Sequence, residues 1–183
     1  MRVISGKYKG KNILGFDIKG TRPTMDRVKE SMFALIQNYI KDAIVLDLFS
    51  GSGNLGIEAL SNGASICYFV DNNKIAIDTI KKNLIGIENT TVIKNDCFNA
   101  LNDLKNNKFD IIFLDPPYHN NLMNKVLNKI VEYDLLNENG IVVCEYEEGN
   151  IETTLELIKS KKYGSKNVDI YRKWIKNSLF LIF

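Results

Sequence analysis

Short apolar runs and helical segments alternate along the middle of this chain, and this alternation limits the possible folds more than any other feature. Five runs have the length and composition of buried strands: Ile44–Phe49, Ile66–Asp71, Thr91–Lys94, Phe109–Leu114 and Ile141–Glu145. Apolar residues at helical spacing follow them, at Asn54–Asn62, Asn73–Leu84, Phe98–Lys105, Leu122–Tyr133 and Ile151–Ser160. Strands that are apolar on both faces need cover on both sides. We therefore predict an α/β fold, a mostly parallel sheet with helices on both faces.

The C-terminal segment departs from this alternation. Two further strands are predicted at Asn167–Tyr171 and Leu179–Phe183, and the link between them is so short that only an antiparallel pair can use it. The sheet is therefore predicted to be mixed, with an antiparallel hairpin at its C-terminal end.

Residues 1–42 differ in character from the rest of the 183-residue chain. Residues 2–14 mix β-formers, glycines and lysines, which predicts a short basic hairpin or arm that bends at Gly6 and Gly10. Apolar residues at helical spacing predict an amphipathic helix over residues 24–39. We therefore expect two parts, a basic arm with its helix at 1–42, packed on a main domain at 43–183.

The composition argues against several classes of protein. No apolar run approaches the ~20 residues of a membrane span, and the N-terminus lacks the apolar region of a secretory signal. Cys67, Cys97 and Cys144 lie far apart, which indicates reduced thiols in a cytoplasmic protein rather than a disulfide framework. His119 is the one histidine, and no Cys/His cluster has ligand spacing. We therefore expect a cytoplasmic monomer that binds neither membrane nor metal.

The net charge of +2 conceals a separation of charge along the sequence. Residues 1–29 carry eight Lys and Arg against two Asp, residues 159–183 carry seven against one, and the middle is acidic. Basic ends of this kind suit a polyanion, although a solvated basic surface would have the same composition. The residues that we assign to nucleic acid binding are Arg2, Lys7, Lys9, Lys11, Arg22 and Arg27.

A glycine-rich loop follows the first predicted strand. Residues 51–56, GSGNLG, match the dinucleotide-binding pattern, and Asp71 at the end of the second strand could accept hydrogen bonds from a ribose diol. Asp47 disfavours a pyrophosphate at this loop, because it would repel the anion and favour a cationic group instead. Asp96, just past the third strand, could accept a hydrogen bond from an adenine amine.

A nucleoside with a positively charged tail fits this acidic set, and S-adenosyl-L-methionine is such a molecule. The alternative for each aspartate is a helix N-cap, which is common after a strand. The candidate cofactor-binding residues are Asp47, Phe49, Gly51, Ser52, Gly53, Asp71, Asn72, Asp96 and Cys97.

The fourth predicted strand ends in Asp115-Pro116-Pro117-Tyr118. An ionised aspartate only accepts hydrogen bonds, and each proline offers a carbonyl but no N–H, so this corner presents acceptors without donors. Acceptors suit an NH2 group, and the tyrosine ring could stack on a base. The motif thus predicts a clamp for a planar ring that carries an amine. The alternative is that the prolines end the strand and Asp115 caps the next helix.

Several of these stretches resemble one protein family. DLFSGSG (47–53) is similar to the first motif of class I S-adenosylmethionine-dependent methyltransferases, and DPPY (115–118) is similar to their amino-methyltransferase motif. More closely, the chain resembles the bacterial methyltransferases that modify the N2 amine of a guanine in 16S ribosomal RNA. The matching stretches are RVISGKYKGKNIL (2–14), TRPTMDRVKESMF (21–33), DLFSGSGNLGIEALSNGA (47–64) and FLDPPY (113–118).

This resemblance implies a Rossmann-like seven-stranded sheet whose last strand runs antiparallel between the fifth and sixth. It implies S-adenosyl-L-methionine as cofactor and 16S ribosomal RNA as partner, either free or within a small-subunit particle. The catalytic residues are then Asp115 and Pro116, as acceptors for the amine, and Tyr118, stacked on the base. Three alternatives stay open: a DNA adenine-N6 methyltransferase, an NAD-dependent oxidoreductase and a non-catalytic RNA-binding module.

Overall fold

A computed structural model describes residues 1–15, 23–117 and 121–173, and within these ranges it contains one seven-stranded sheet. The helices are α1 (Pro23–Ile40), α2 (Asn54–Ser61), α3 (Lys74–Asn83), α4 (Cys97–Asp103) and α5 (Leu122–Glu132). The strands are β1 (Ile44–Asp47), β2 (Ile66–Asp71), β3 (Thr90–Lys94), β4 (Phe109–Leu114), β5 (Leu136–Tyr146), β6 (Glu156–Tyr163) and β7 (Lys166–Arg172).

The strand order is β3-β2-β1-β4-β5-β7-β6, and β7 runs antiparallel to both of its neighbours. The pairs β1–β2, β1–β4, β2–β3 and β4–β5 are all parallel. This arrangement confirms the predicted mixed sheet, and it places the last strand between the fifth and sixth, as the resemblance implied.

Helices cover both faces of the sheet, because successive strand residues point into two separate cores. Val45 on β1 joins the core that α1, α2 and α3 cover, whereas its neighbour Leu46 joins the core beneath α4 and α5. Phe33 on α1 stacks on Phe113 of β4, with ring centroids 5.7 Å apart. The buried runs of the sequence therefore give a sheet that is covered on both sides, as predicted.

The C-terminal hairpin forms from a different pair of strands than the sequence suggested. The helix predicted at Ile151–Ser160 was wrong, because Glu156–Tyr163 forms strand β6 and pairs with β7. Gly164 and Ser165 make the two-residue turn between Tyr163 and Lys166, and Gly164 takes the positive φ of 61° that such turns favour. The lysines of β6 lie on an exposed edge strand, where charge prevents further pairing. The strand predicted at Leu179–Phe183 lies outside the described residues.

The fifth strand also begins earlier than predicted. It starts at Leu136 rather than Ile141, and the pairing with β4 shifts between the pairs Phe109–Leu136 and Ile111–Ile141. The turn-forming residues 137–140 therefore form an irregular bulge inside the strand, and Asn137 Nδ2 donates a hydrogen bond of 2.6 Å to Asp110 Oδ1 on β4.

The N-terminal arm, residues 1–15, folds as the predicted hairpin and packs against α2. Arg2 and Asn12 form an antiparallel bridge, and the chain bends at Gly6 and Gly10 with φ values of 78° and 85°. A Cβ at Gly6 would overlap the backbone of Ser61, so the close contact with α2 requires glycine at this position. Because Val3 and Ile13 are buried in the core beneath α1 and α2, the arm is part of the packed structure. The division at residue 42 stays a prediction.

A buried ion pair connects the arm, α1 and α2. Lys29 Nζ lies 2.8 Å from Glu58 Oε2, and both side chains are almost completely buried. The ammonium also donates to the Arg2 carbonyl and to Asn54 Oδ1, both at 2.7 Å. The Glu58 carboxylate accepts hydrogen bonds from the backbone N–H groups of two arm residues, Ile4 and Ser5. Each charge is therefore both paired and hydrogen-bonded.

None of the helices in the described ranges is long and apolar enough to cross a membrane. Within the same ranges, no group of three His, Cys, Asp or Glu side chains could hold a metal ion. All three cysteines are free thiols, and Cys67 and Cys144 are buried.

Removing the carboxylate of this ion pair should destabilise the whole fold. The substitution Glu58→Gln leaves the buried Lys29 ammonium without its counter-ion, which costs about 3–5 kcal/mol in comparable cases. Urea unfolding should therefore show a clearly lower midpoint. The matched control is Glu132→Gln, which breaks an exposed ion pair with Lys129 and should leave the midpoint unchanged. Equal midpoints for the two variants would contradict the role given to Glu58.

Candidate active site

The carboxyl ends of three neighbouring parallel strands meet at one edge of the sheet and line a cavity with a volume of about 880 Å³. Asp47 ends β1, Asp71 ends β2 and Asp115 directly follows β4. This is the edge where open α/β sheets bind ligands. The predicted site residues that line the cavity are Asp47, Phe49, Gly51, Ser52, Asp71, Asn72, Asp96, Cys97, Asp115 and Pro116.

One predicted cofactor-binding residue, Gly53, is not among the described residues that line this cavity. Gly53 is the N-cap residue of α2 and has a φ of 79°, so it shapes the turn without contributing to the cavity wall. Tyr118 lies outside the described residues.

The glycine-rich loop is a tight turn that starts α2 close to the sheet. The Ser50 hydroxyl donates to the Asp47 carbonyl at 2.6 Å, and Gly51 has a φ of 54°, a left-handed conformation that favours glycine. A Cβ at Gly56 would lie 2.6 Å from Cys67 Sγ, so α2 can pack this closely on β2 only with glycine there. The three glycines therefore serve a tight turn and close helix packing, as in a dinucleotide-binding loop.

Asp47 is a buried carboxylate at the bottom of this loop. It is only 3% exposed, and its Oδ2 accepts a 3.0 Å hydrogen bond from the Gly56 N–H. Burial raises the pKa of Asp47 to about 7, the Gly56 N–H opposes this shift, and the nearby Asp71 carboxylate adds to it. A cationic ligand in the cavity would relieve the unfavourable burial of this charge, whereas a phosphate would add to the repulsion.

Asp71 and Asp96 both hold backbone groups as well as facing the cavity. The two oxygens of Asp71 accept hydrogen bonds from Gly51 N at 2.9 Å and Asn73 N at 2.8 Å, which fixes the carboxylate beside the loop. Asp96 is the N-cap of α4, and its Oδ1 accepts from Phe98 N and Asn99 N at 3.0 and 3.1 Å. The helix-cap alternative therefore holds for Asp96. Carboxylate oxygens have further lone pairs, so both residues can still accept from a ligand.

Asp115, Pro116 and Pro117 stand at the mouth of the same cavity. Desolvation by the surrounding walls raises the pKa of Asp115 to about 7, and Glu145 adds to the shift while Lys166 opposes it. Asp115 as a whole still keeps an exposed surface, so solvent moderates this effect. The corner supplies a carboxylate and proline carbonyls as acceptors, and neither proline can donate a backbone hydrogen bond.

Sequence reasoning missed three charged residues that line the cavity: Lys29, Glu145 and Lys166. Glu145 could have been found, because it is an acidic residue at the carboxyl end of a predicted strand, as Asp71 is. Lys29 was counted among the basic surface residues, and nothing in its helix indicated burial. Lys166 could not be placed, because its position depends on the β6–β7 hairpin.

The residues assigned to nucleic acid binding lie outside the cavity wall where they are described. Arg2, Lys7, Lys9 and Arg27 are exposed, and Lys11 Nζ donates to the Ile85 carbonyl at 2.8 Å. Arg22 lies outside the described residues. Met1 and Gly15 of the arm line the cavity, so the arm borders its opening.

The substitution Asp47→Asn should raise the stability of the ligand-free protein but weaken its binding of the cofactor. A carboxyl whose pKa is raised in the folded state stabilises the fold below its unfolded pKa of about 4, and this contribution is lost as the pH rises through about 7. At pH 8, the neutral amide should therefore raise the free energy of unfolding of the ligand-free protein by about 4 kcal/mol. The same change should weaken binding of S-adenosylmethionine. Calorimetry and thermal unfolding at pH 5 and pH 8 measure both effects, and a variant that is less stable at pH 8 would contradict this account.

Comparisons with known proteins agree on one family. The family model described as "Conserved hypothetical protein 95" matches residues 1–172. YlbH of Bacillus subtilis is 44% identical over 182 residues, covering 94% of this chain and 99% of that protein. Ribosomal RNA small subunit methyltransferase D of Haemophilus influenzae is 34% identical over 180 residues, covering 94% of this chain and 93% of that protein.

The solved structure of yhhF from Escherichia coli is similar to this chain, with a TM-score of 0.83 and 29% sequence identity. The alignment covers 94% of this chain and 97% of the yhhF chain. These matches do not favour the oxidoreductase or DNA methyltransferase alternatives. The chain belongs to the Conserved hypothetical protein 95 family and to the family of the ribosomal RNA small subunit methyltransferase D proteins, as its motifs predicted.

Proposed function

We propose that this protein transfers the methyl group of S-adenosyl-L-methionine to the N2 amine of a guanine in 16S ribosomal RNA. One observation carries the proposal: the donor-free corner at Asp115 and the acidic glycine-rich loop open into a single cavity. Family membership supports the same substrate, because relatives are named ribosomal RNA small subunit methyltransferase D.

The residues of the cavity fit this cofactor. The buried Asp47 carboxylate suits a ligand with a cationic tail, and the fixed Asp71 carboxylate beside the loop can accept from a ribose diol. Asp96, Cys97 and Phe98 form a wall that offers an acceptor and apolar surface to an adenine ring. A pyrophosphate would face acidic residues at the loop, which disfavours a dinucleotide.

When bound, S-adenosylmethionine supplies a methyl group that its sulfonium activates for attack. The protein holds the other reactant: the Asp115 carboxylate and the Pro116 carbonyl accept the two hydrogens of the N2 amine. These bonds favour the pyramidal form of the nitrogen, whose lone pair is otherwise delocalised into the ring. Holding both reactants in attack geometry can supply about 7–11 kcal/mol of barrier reduction. The N2 nitrogen would gain its bond to the methyl carbon as the methyl–sulfur bond breaks, and it would release one proton to water. Asp115 suits this role best when ionised, because both of its oxygens then accept and neither donates.

Asp115→Ala should abolish methyl transfer while leaving binding of S-adenosylhomocysteine largely intact. The cofactor-binding carboxylates belong to β1, β2 and α4, so they do not depend on Asp115. In the unsubstituted protein, kcat/KM should rise with pH as Asp115 ionises, because burial raises the pKa of this carboxyl above its ordinary value and the ionised form accepts without a competing O–H donor. Tritiated methyl transfer and calorimetry measure the two properties, and turnover near the unsubstituted rate would refute the role of Asp115.

The substrate itself is tested with small-subunit particles and free 16S RNA from a strain that lacks the gene. Transfer to one guanine N2 in either, with none to duplex DNA rich in adenine, is the expected result. Mapping the modified nucleotide then identifies the target. Transfer to adenine in the duplex would favour the alternative DNA methyltransferase.

Replacing Lys7, Lys9 and Lys11 by glutamine should weaken RNA binding and flatten its salt dependence. Each lost phosphate contact lowers the slope of log K against log salt by about 0.7 on single strands. The matched control is Lys105→Gln, an exposed lysine after α4 on the opposite face of the sheet from the arm. An unchanged slope in the triple variant would exclude the arm as an RNA contact.

A further inference from the structure

A second carboxylate stands beside Asp115 at the mouth of the cavity. Leu114 on β4 pairs with Cys144 on β5, so Asp115, directly after β4, and Glu145, within β5, lie next to each other on neighbouring parallel strands. Both line the cavity, and Glu145 is only 8% exposed. Neighbouring strands lie about 4.8 Å apart, so the backbones that carry these two acceptors are adjacent.

Lys166 pairs with Glu145 and orients its carboxylate. Its ammonium forms an ion pair and hydrogen bond with Glu145 Oε1, and it also lines the cavity. A nearly buried carboxylate that lacked such a cation would be costly beside another acidic residue. Burial raises the pKa of Asp115, and the neighbouring Glu145 carboxylate adds to this shift.

We propose that Glu145 selects guanine by accepting the hydrogen bond of its N1–H, with Lys166 as the positioning residue. The proposal rests on the function inferred above. It assigns a hydrogen-bond partner to N1, the ring nitrogen next to the reacting amine. In guanine, N1–H and the N2 amine are adjacent donors that diverge from the ring, so two acceptors on neighbouring strands can reach both. In adenine and cytosine the amine stands next to a ring nitrogen lone pair.

Glu145 therefore supplies the discrimination that the DPPY corner cannot supply by itself. A donor-free corner accepts any exocyclic amine, whereas a carboxylate facing the ring nitrogen attracts N1–H of guanine and repels the lone pair of adenine or cytosine. A site that hydrogen-bonds a substrate group strongly rejects an analogue that lacks it, because the protein group is left unpaired.

The test uses small-subunit particles reconstituted with RNA that carries either guanine or 2-aminopurine at the mapped target position. 2-Aminopurine keeps the N2 amine but has a lone pair at N1. The unsubstituted protein should prefer guanine by about 100-fold or more in kcat/KM. Glu145→Gln should lower methylation of guanine about 10- to 100-fold, the loss of one hydrogen bond to a charged group. It should not lower methylation of 2-aminopurine, because an amide can donate to N1.

Two further sets of variants make the outcome decisive. Glu148→Gln changes an exposed carboxylate shortly after β5 and should leave both rates unchanged. Lys166→Arg should retain the preference for guanine, and Lys166→Gln should lose most of it.

Equal losses on both bases in Glu145→Gln, with an unchanged ratio, would overturn the proposal and assign Glu145 a merely structural role. Failure of the proposed function looks different, since the unsubstituted protein would then not methylate the guanine particle at all.

Discussion

Burial of acidic side chains at the end of a parallel sheet is the constraint on which the rest of this structure depends. Asp47 is almost completely buried, and Glu145 stands beside Asp115 at the neighbouring strand ends. Burial is the main cause of the raised pKa values of Asp47 and Asp115, and repulsion by neighbouring carboxylates adds to both shifts. This free-energy cost falls when a cation or a hydrogen-bond donor enters the cavity and interacts with the carboxylates.

The protein compensates for these charges differently at the two ends of the cavity. At the loop, backbone N–H groups of Gly56, Gly51 and Asn73 hold Asp47 and Asp71 without neutralising them. At the corner, the Lys166 ammonium pairs with Glu145. Because backbone hydrogen bonds do not cancel the charge of a carboxylate, the loop end of the cavity attracts a cation. The ion pair compensates the charge of Glu145, so the corner favours neutral hydrogen-bond donors. The two ends therefore suit a sulfonium cofactor and an uncharged base respectively.

Most of the fold could be predicted from the sequence, because the local pattern of apolar residues in most segments agrees with the strand or helix that they form. An apolar run such as Phe109–Leu114 indicates a strand that is buried on both faces of a parallel sheet. The carboxyl ends of such strands are where the candidate site lies. The segment Glu156–Tyr163 was predicted wrongly because an edge strand has no buried periodicity, and its partner is decided by the two-residue turn that follows. Lys29 was missed for a related reason: its burial is caused by Glu58 and the arm, both distant in sequence.

The distribution of charge around the opening follows from the same constraint. An acidic cavity repels the phosphates of a nucleic acid, so the backbone must be held outside while a base enters. We propose that the arm serves this purpose, because Met1 and Gly15 line the cavity and the side chains of Lys7 and Lys9 are exposed. The arm in turn is anchored by the Lys29–Glu58 pair, whose lysine also lines the cavity. A single buried ion pair thus connects the surface proposed to hold RNA with the cavity in which the base would react.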